Sequence, residues 1–196
     1  MTYYLIDTSA IIHYYIPSDK TSKIQTIVDK KKNGFAFLFI PNFCIAEAFN
    51  TFAKYRYRYA TTKPTKAISE DDYEKCTTKF REHIHEGNLL YHYELNRYHM
   101  LNSNLVAPFD HQIDLQREAR DGSGKKEDWC LSTFDILFIA MGIELVRIVE
   151  KKNLHLITCD TRINHICHLL EGLSMEDRCK HGIPNHVVFP TCCLLK

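Results

Sequence analysis

The chain has 196 residues, 45% of them hydrophobic, which suffices for one domain with a buried core and argues against two full-sized domains. A formal net charge of +1 excludes a general basic coat for nucleic acid, so any such contact has to be local. No stretch approaches about 18 uninterrupted apolar residues, so we expect no membrane span. The N-terminus lacks the pattern of a signal peptide. The eight cysteines form no CxxC pair, which favours reduced thiols in a cytoplasmic protein.

The N-terminal third alternates short apolar runs with amphipathic segments. Gly34 and Pro41 bound one of these runs, and Pro17 follows the first helical segment. In chain order, the predicted elements are a strand at 3–6, a helix from Thr8 or Ser9 toward Tyr15, a helix at 19–32, a strand at 35–40 and a helix from Pro41-Asn42 past Phe52.

The remainder carries clear helix starts at Ser69 and Ser132, each followed by an acidic residue three positions later. The segment 88–105 is open between a helix and a strand followed by a helix. The other predicted elements are a loop at 61–68, a helix from 69 to about 86, a flexible loop at 120–128, a helix from 132 to about 150, a strand at 154–158, a helix at 161–171 and a short strand at 186–189.

Apolar strands that alternate with amphipathic helices predict an α/β fold, a Rossmann-like three-layer sandwich with a central, mainly parallel sheet flanked by helices. We predict a single domain over residues 1–196, with a helical insertion around 61–128 that binds substrate or a partner. In such sheets, ligands bind beyond the carboxyl ends of the strands.

Four acidic residues stand in apolar surroundings where an unpaired carboxylate costs several kcal/mol. Each has an ordinary alternative, because Asp7 and Asp160 can be helix N-caps, Asp135 can complete a capping box, and Glu47 can be a partly exposed helical residue. Clustered carboxylates repel one another, and a hard divalent cation removes that repulsion. The four acids are Asp7, Glu47, Asp135 and Asp160. If the fold gathers them, they predict a Mg²⁺ or Mn²⁺ site suited to phosphodiester chemistry.

The surroundings of these acids resemble the PIN-domain ribonucleases, in the same order along the chain. The matching runs are Leu-Ile-Asp7-Thr-Ser-Ala, Ile-Ala-Glu47-Ala-Phe-Asn, Phe-Asp135-Ile-Leu-Phe-Ile-Ala and Leu-Ile-Thr158-Cys-Asp160. The resemblance implies a metal-dependent endoribonuclease with Asp7, Glu47, Asp135 and Asp160 as catalytic, metal-binding acids. It also implies that Thr8 and Thr158 supply supporting hydroxyls, although both can equally be turn or cap residues.

Two departures from the family pattern refine this expectation. Many family members carry a further acid just after the fourth, whereas Thr161, Arg162, Ile163 and Asn164 follow Asp160 here, which favours one metal over two. The stretch between Glu47 and Asp135 is also long for the compact VapC-type toxins of the family. The resemblance includes such toxins, so an antitoxin partner and a homodimer belong to the expectation.

The run Lys54-Tyr-Arg56-Tyr-Arg58-Tyr59 alternates cations with aromatic rings. Tyrosines can stack on bases while Lys54, Arg56 and Arg58 bind phosphates, as recognition of single-stranded RNA requires. A strand places all three cations on one face, whereas a helix scatters them. The alternative is a solvated end of the helix that carries Glu47.

The favoured hypothesis is therefore a Mg²⁺- or Mn²⁺-dependent endoribonuclease, with a toxin of a toxin–antitoxin pair as its narrower form. The main alternative is a non-catalytic PIN-like module that binds RNA or protein. A DNA-directed nuclease with the same metal chemistry is a third hypothesis.

Overall fold

The computed structural model describes residues 1–85, 87–121 and 130–195, with the main chain alone for 117–121. Within these residues, five strands form a parallel sheet flanked by helices, so the predicted three-layer α/β class is confirmed. The chain divides into two compact units, residues 1–94 with Leu195, and residues 95–194. Whether it forms a single domain with an insertion at 61–128 stays a prediction.

The first unit contains three parallel strands in the order β3-β2-β1. Its buried strand residues include Leu5 and Ile6 of β1 and Leu38 and Ile40 of β2. The elements are β1 (Thr2–Ile6), α1 (Thr8–Tyr15), α2 (Thr21–Lys32), β2 (Ala36–Pro41), α3 (Asn42–Ala53), a π-helical turn (Lys54–Arg58), α4 (Tyr59–Thr62), a 3₁₀ turn (Pro64–Lys66), α5 (Glu70–His85) and β3 (Tyr91–Tyr93).

An aromatic core fixes α1, α3 and α5 in this unit. The ring of Tyr15 meets Phe52 edge-on at 5.8 Å and Phe80 at 5.3 Å between centroids, and both phenylalanines are fully buried. Edge-to-face pairs of this kind each contribute about 1 kcal/mol beyond the burial of apolar area. The helices that follow Asp7 and carry Glu47, α1 and α3, are therefore packed against each other and against α5.

The second unit contains two parallel strands that pair from His155 with Thr191 to Thr158 with Leu194. Helix α7 is buried along most of its length, as its apolar sequence predicts. The elements are α6 (Arg97–Asp121), α7 (Thr133–Val149), a 3₁₀ turn (Lys151–Asn153), β4 (Leu154–Thr158), α8 (Thr161–Glu171), α9 (Met175–Lys180) and β5 (Thr191–Leu194).

The predicted closing strand at 186–189 is wrong. The amide of Val187 donates to the carbonyl oxygen of Pro184 and closes a turn, and Val188 is 41% exposed. This apolar run therefore does not enter the sheet. The strand begins only after Pro190, at Thr191. The open segment 88–105 is a strand followed by a helix, β3 and α6. The predicted loop at 120–128 lies outside the described residues from 122 onward.

Gly142 lets α7 approach β4 closely. A Cβ atom at this position would lie 2.8 Å from Leu156 Cδ2 and 3.0 Å from Pro190 Cγ. Because Leu156 is fully buried, it has little room to retreat. We expect Gly142→Ala to destabilise the protein by about 1–3 kcal/mol through overpacking, although alanine is the better helix former.

Urea unfolding measures this loss, and Leu156→Ala provides the control because it opens space at the contact. In that background Gly142→Ala should cost clearly less than in the wild type. Equal costs in the two backgrounds would show that the contact does not govern the effect.

Candidate functional site

Asp7, Cys44 and Glu47 form a compact cluster in the first unit. One potential ligand atom from each residue lies within 4.8 Å of the other two. Asp7 is 8% exposed, Cys44 is fully buried and Glu47 is half-buried. The structure thus brings together two of the four acids predicted as metal ligands.

Two hydroxyl groups hold the carboxylates of this cluster. Thr8 Oγ1 donates to Glu47 Oε2 at 2.8 Å and also lies 3.3 Å from the carbonyl oxygen of Cys44. Ser9 Oγ donates to Asp7 Oδ2 at 2.5 Å. Hydroxyl donors orient carboxylates without adding a compensating charge.

Local sequence patterns explain how these residues meet. Asp7 directly follows the buried end of β1, and Thr8 is the first residue of α1. Cys44, Ala48 and Phe52 form the buried stripe of α3 at a spacing of four, and Glu47 lies one turn from Cys44 beside that stripe.

The capping alternative is wrong for Asp7. It occupies the N-cap position of α1, but its side chain makes no capping hydrogen bond. Its Oδ2 instead accepts the bond from Ser9. A cation is a partner that reduces the desolvation cost of a carboxylate as buried as Asp7, which is 8% exposed.

The donor set fits a hard divalent cation. Asp7 and Glu47 offer carboxylate oxygens, which Mg²⁺ and Mn²⁺ prefer. Burial raises the pKa of the Cys44 thiol far above its usual range, and the Asp7 charge adds to the rise. A thiol that stays protonated is a poor metal ligand. Cys44 therefore lines the cluster as a neutral thiol, and Asp7 and Glu47 offer the oxygen atoms that would hold a cation.

Asp135 and Asp160 lie in the second unit, where both cap helices. Ser132 and Asp135 form a complete capping box, with Asp135 Oδ2 accepting from the Ser132 amide at 2.9 Å. Asp160 Oδ1 accepts from the amides of Arg162 and Ile163 at 2.6 and 3.3 Å. The capping alternatives are thus confirmed for these two residues, which does not decide whether they also bind metal.

Asp135 also lies near other carboxylates of the second unit. Burial raises its pKa, and the charges of Asp160 and Asp110 add to the rise against the lowering effect of its bonds with Ser132. The hydroxyl of Thr158 accepts the amide hydrogen of Asp160 at 2.9 Å, a turn contact. The predicted supporting roles of Thr158 and Thr8 in metal binding stay predictions.

Asp110 and Arg162 lie beside these acids, and neither was predicted as a site residue. Asp110 of α6 is fully buried, and its Oδ1 accepts a short bond from Nη2 of Arg162, while its Oδ2 accepts from the Leu131 amide at 2.7 Å. The sequence shows Asp110 only as one acidic residue in the segment that forms α6, and it belongs to no local motif. Ser9 and Cys44 were likewise missed, and only their positions beside Asp7 and Glu47 could have indicated them.

The basic and aromatic run at 54–59 is helical. Of the two conformations considered for it, this is the one that does not place all three cations on one face. Lys54–Arg58 forms a π-helical turn. Arg56 Nε lies 2.6 Å from Glu70 Oε2, so this cation is paired within the protein. Lys54 lies over the ring of Tyr59, 5.5 Å from its centroid, and both Lys54 and Arg58 are exposed.

Comparison with known proteins gives a distant likeness in fold. No protein-family model matches the chain, and no curated protein sequence matches it significantly. Among solved structures, it is similar to VapBC2 from Rickettsia felis bound to a DNA fragment from its promoter. Identity is 11%, the TM-score is 0.47, and the alignment covers 84% of this chain and 93% of that chain. The site residues here have to be judged by their own geometry.

Thr8 provides a test of how the cluster is oriented. Thr8→Val removes the hydroxyl that bonds to Glu47, whereas Thr8→Ser retains it. We expect the valine variant to bind Mn²⁺ about 10-fold more weakly, the scale of lost outer-shell contacts, and the serine variant to resemble the wild type. Thermal shift in a Mn²⁺ titration measures both, and equal affinities of the two variants would contradict this role.

Asp135 provides a test through pH. Its raised pKa means that the folded state loses stability as pH rises from the unfolded value, about 3.9, through the folded value. Asp135→Asn keeps an acceptor for the Ser132 amide but carries no charge. We expect it to stabilise the fold at pH 7 relative to the wild type and to leave stability at pH 3 nearly unchanged.

Asp177 is the matched control, because it occupies the same position after the Ser174 cap but its side chain is 45% exposed. The bond from Ser174 lowers the pKa of Asp177, so its charge stabilises the fold above the unfolded pKa. Asp177→Asn should therefore lose stability at pH 7. Urea unfolding at both pH values measures the two variants, and the same sign of change in both would contradict the assignment.

Proposed function

We propose that this protein is a divalent-metal-dependent nuclease of the PIN-domain kind that hydrolyses RNA. The observation that carries the proposal is the Asp7–Cys44–Glu47 cluster, with its ligand atoms within 4.8 Å and its carboxylates held by hydroxyl groups. The ordered resemblance at Asp7, Glu47, Asp135 and Asp160 supports it, as does the confirmed α/β class.

Asp7 and Glu47 are the residues that would hold the cation. When bound, Mg²⁺ or Mn²⁺ supplies a water of lowered pKa and stabilises the charge that develops on a phosphodiester. Thr8 fixes the orientation of Glu47, and Ser9 fixes that of Asp7. That Asp135 and Asp160 add catalytic, metal-binding carboxylates stays a prediction, and their capping bonds keep each side chain in one orientation.

Cleavage of RNA by the purified chain, with Mn²⁺ or with a chelator, tests the proposal. Asp7→Asn and Glu47→Gln should each lower the rate about 100-fold or more, because each removes a charged ligand of the cation. Asp29→Asn, on the exposed side of α2, is the matched acid control and should leave the rate unchanged.

Cys44→Ala separates the cation classes in the same assay. An oxygen-bound Mg²⁺ or Mn²⁺ site retains activity in this variant, whereas a thiolate-bound metal loses it. Cleavage that persists with chelator, or that is undiminished in both acid variants, would refute a metal-dependent nuclease.

The basic turn supplies the proposed RNA contacts through its two exposed cations. We expect Lys54→Ala and Arg58→Ala each to reduce the salt dependence of RNA binding by about 0.7 in log–log slope, the contribution of one phosphate contact on a single strand. Arg56→Ala is expected to act on stability as well, because Arg56 pairs with Glu70. Filter binding at several salt concentrations measures the slopes, and unchanged slopes for Lys54→Ala and Arg58→Ala would place RNA elsewhere.

A non-catalytic binding module is the second candidate, favoured by the capping bonds of Asp135 and Asp160. It predicts RNA binding without cleavage and no stabilisation by Mn²⁺. An antitoxin partner, a toxin role, a homodimer and a cytoplasmic location stay predictions. Within the described residues, no helix is long and apolar enough to cross a membrane.

A further inference from the structure

Arg162 connects two acids of the second unit. Its amide donates to Asp160 Oδ1 at 2.6 Å, and its Nη2 donates to Asp110 Oδ1. One residue therefore contacts one carboxylate through its main chain and another through its side chain. Asp110, Asp135 and Asp160 are called the acid group below, since the charges of Asp110 and Asp160 both act on Asp135.

The guanidinium of Arg162 is buried and only partly satisfied. The residue is 9% exposed, and its Nε has no hydrogen-bond partner in the structure. Burying an arginine costs several kcal/mol unless its charge is compensated, so the acid group is the reason that it can lie there. Arginine stays protonated at any physiological pH, which makes it a permanent positive charge among three acids.

Four of the six carboxylate oxygens of the acid group accept hydrogen bonds from the guanidinium or from main-chain amides. Both oxygens of Asp110 are bonded, to Arg162 and to the Leu131 amide. Asp135 Oδ2 accepts from the Ser132 amide, and Asp160 Oδ1 accepts from two amides. A divalent ion placed here would also meet the repulsion of a guanidinium in surroundings of low dielectric constant.

We propose that the Arg162 guanidinium is the resident cation of the acid group and takes the place of a divalent ion there. The acid group then binds no metal of its own while Arg162 is present. The proposal rests on the proposed function only for the metal chemistry, and it concerns electrostatic positioning by Arg162 rather than contact with substrate.

The number of Mn²⁺ ions bound per chain tests the proposal, counted by electron paramagnetic resonance on the full chain. Arg162→Met removes the cation and keeps an apolar stem, and we expect it to bind one Mn²⁺ more than the wild type. The double variant Arg162→Met with Asp110→Asn removes both charges of the pair and should lose that added ion. A purely structural role of Arg162 would not change the count.

The Glu47→Gln background locates the added ion. Adding Arg162→Met to Glu47→Gln should raise the count by one even where the first-unit site has lost its ion. Melting temperature provides a second readout, because Mn²⁺ should raise it more in Arg162→Met than in the wild type. An unchanged count together with an unchanged Mn²⁺-dependent shift overturns the proposal.

If Arg162→Met does not fold, the number of Mn²⁺ ions bound by the wild-type protein still tests the proposal. Two Mn²⁺ ions per wild-type chain overturn the proposal, and at most one supports it. RNA cleavage recorded in parallel separates the two proposals. RNA cleavage by a wild-type chain with two bound ions supports the nuclease and overturns the role of Arg162. A gain of one ion in Arg162→Met without any cleavage supports the role of Arg162 and overturns the nuclease.

Discussion

Compensation of buried negative charge is the constraint on which both acidic clusters depend. A carboxylate that leaves water loses its hydration, and only cations or several hydrogen-bond donors replace it. The first unit surrounds Asp7 and Glu47 with neutral hydroxyls of Ser9 and Thr8. The second unit uses main-chain amides and a guanidinium. The same residue types therefore face different electrostatic conditions in the two clusters.

The parallel strands explain why the acids occur where they do. Side-chain contacts in a buried parallel strand are apolar on both faces, so polar residues are tolerated only where the strand ends. Asp7 follows the fully buried Ile6, and Asp160 follows shortly after the fully buried Thr158. Each then stands at the N-terminus of a helix, where main-chain amides and the helix dipole favour negative charge.

The sequence predicted most of the local structure because the signals there were short-range. Strand 154–158 and helix 161–171 have the predicted bounds, since an apolar run and a capping aspartate define them within a few residues. Strand 186–189 was wrong because an apolar run indicates burial and not pairing. Val187 satisfies its amide in a turn, and the residues after Pro190 take the place beside β4.

The site was harder to predict, because its partners are far apart in the chain. Thr8 and Glu47 bond across 39 positions, and Arg162 and Asp110 across 52. No local pattern encodes either contact. The sequence did indicate that Asp160 is followed by Thr161, Arg162, Ile163 and Asn164, where many members of the resembled family have a further acid. It could not show that Asp110 of α6 binds the Arg162 side chain, since only the segment 88–105 was considered there and it was left open between two interpretations.

The two clusters have the same formal charge of −2, but they differ in the number of hydrogen-bond donors that compensate it. The three carboxylates of the acid group share one guanidinium and at least four amide donors. Asp7 and Glu47 have two hydroxyl donors, which carry dipoles but no charge. A divalent ion gains most where negative charge is least compensated, because its own dehydration is costly and has to be repaid by Coulomb attraction. On the proposal made for Arg162, its buried guanidinium therefore favours a divalent ion at Asp7 and Glu47.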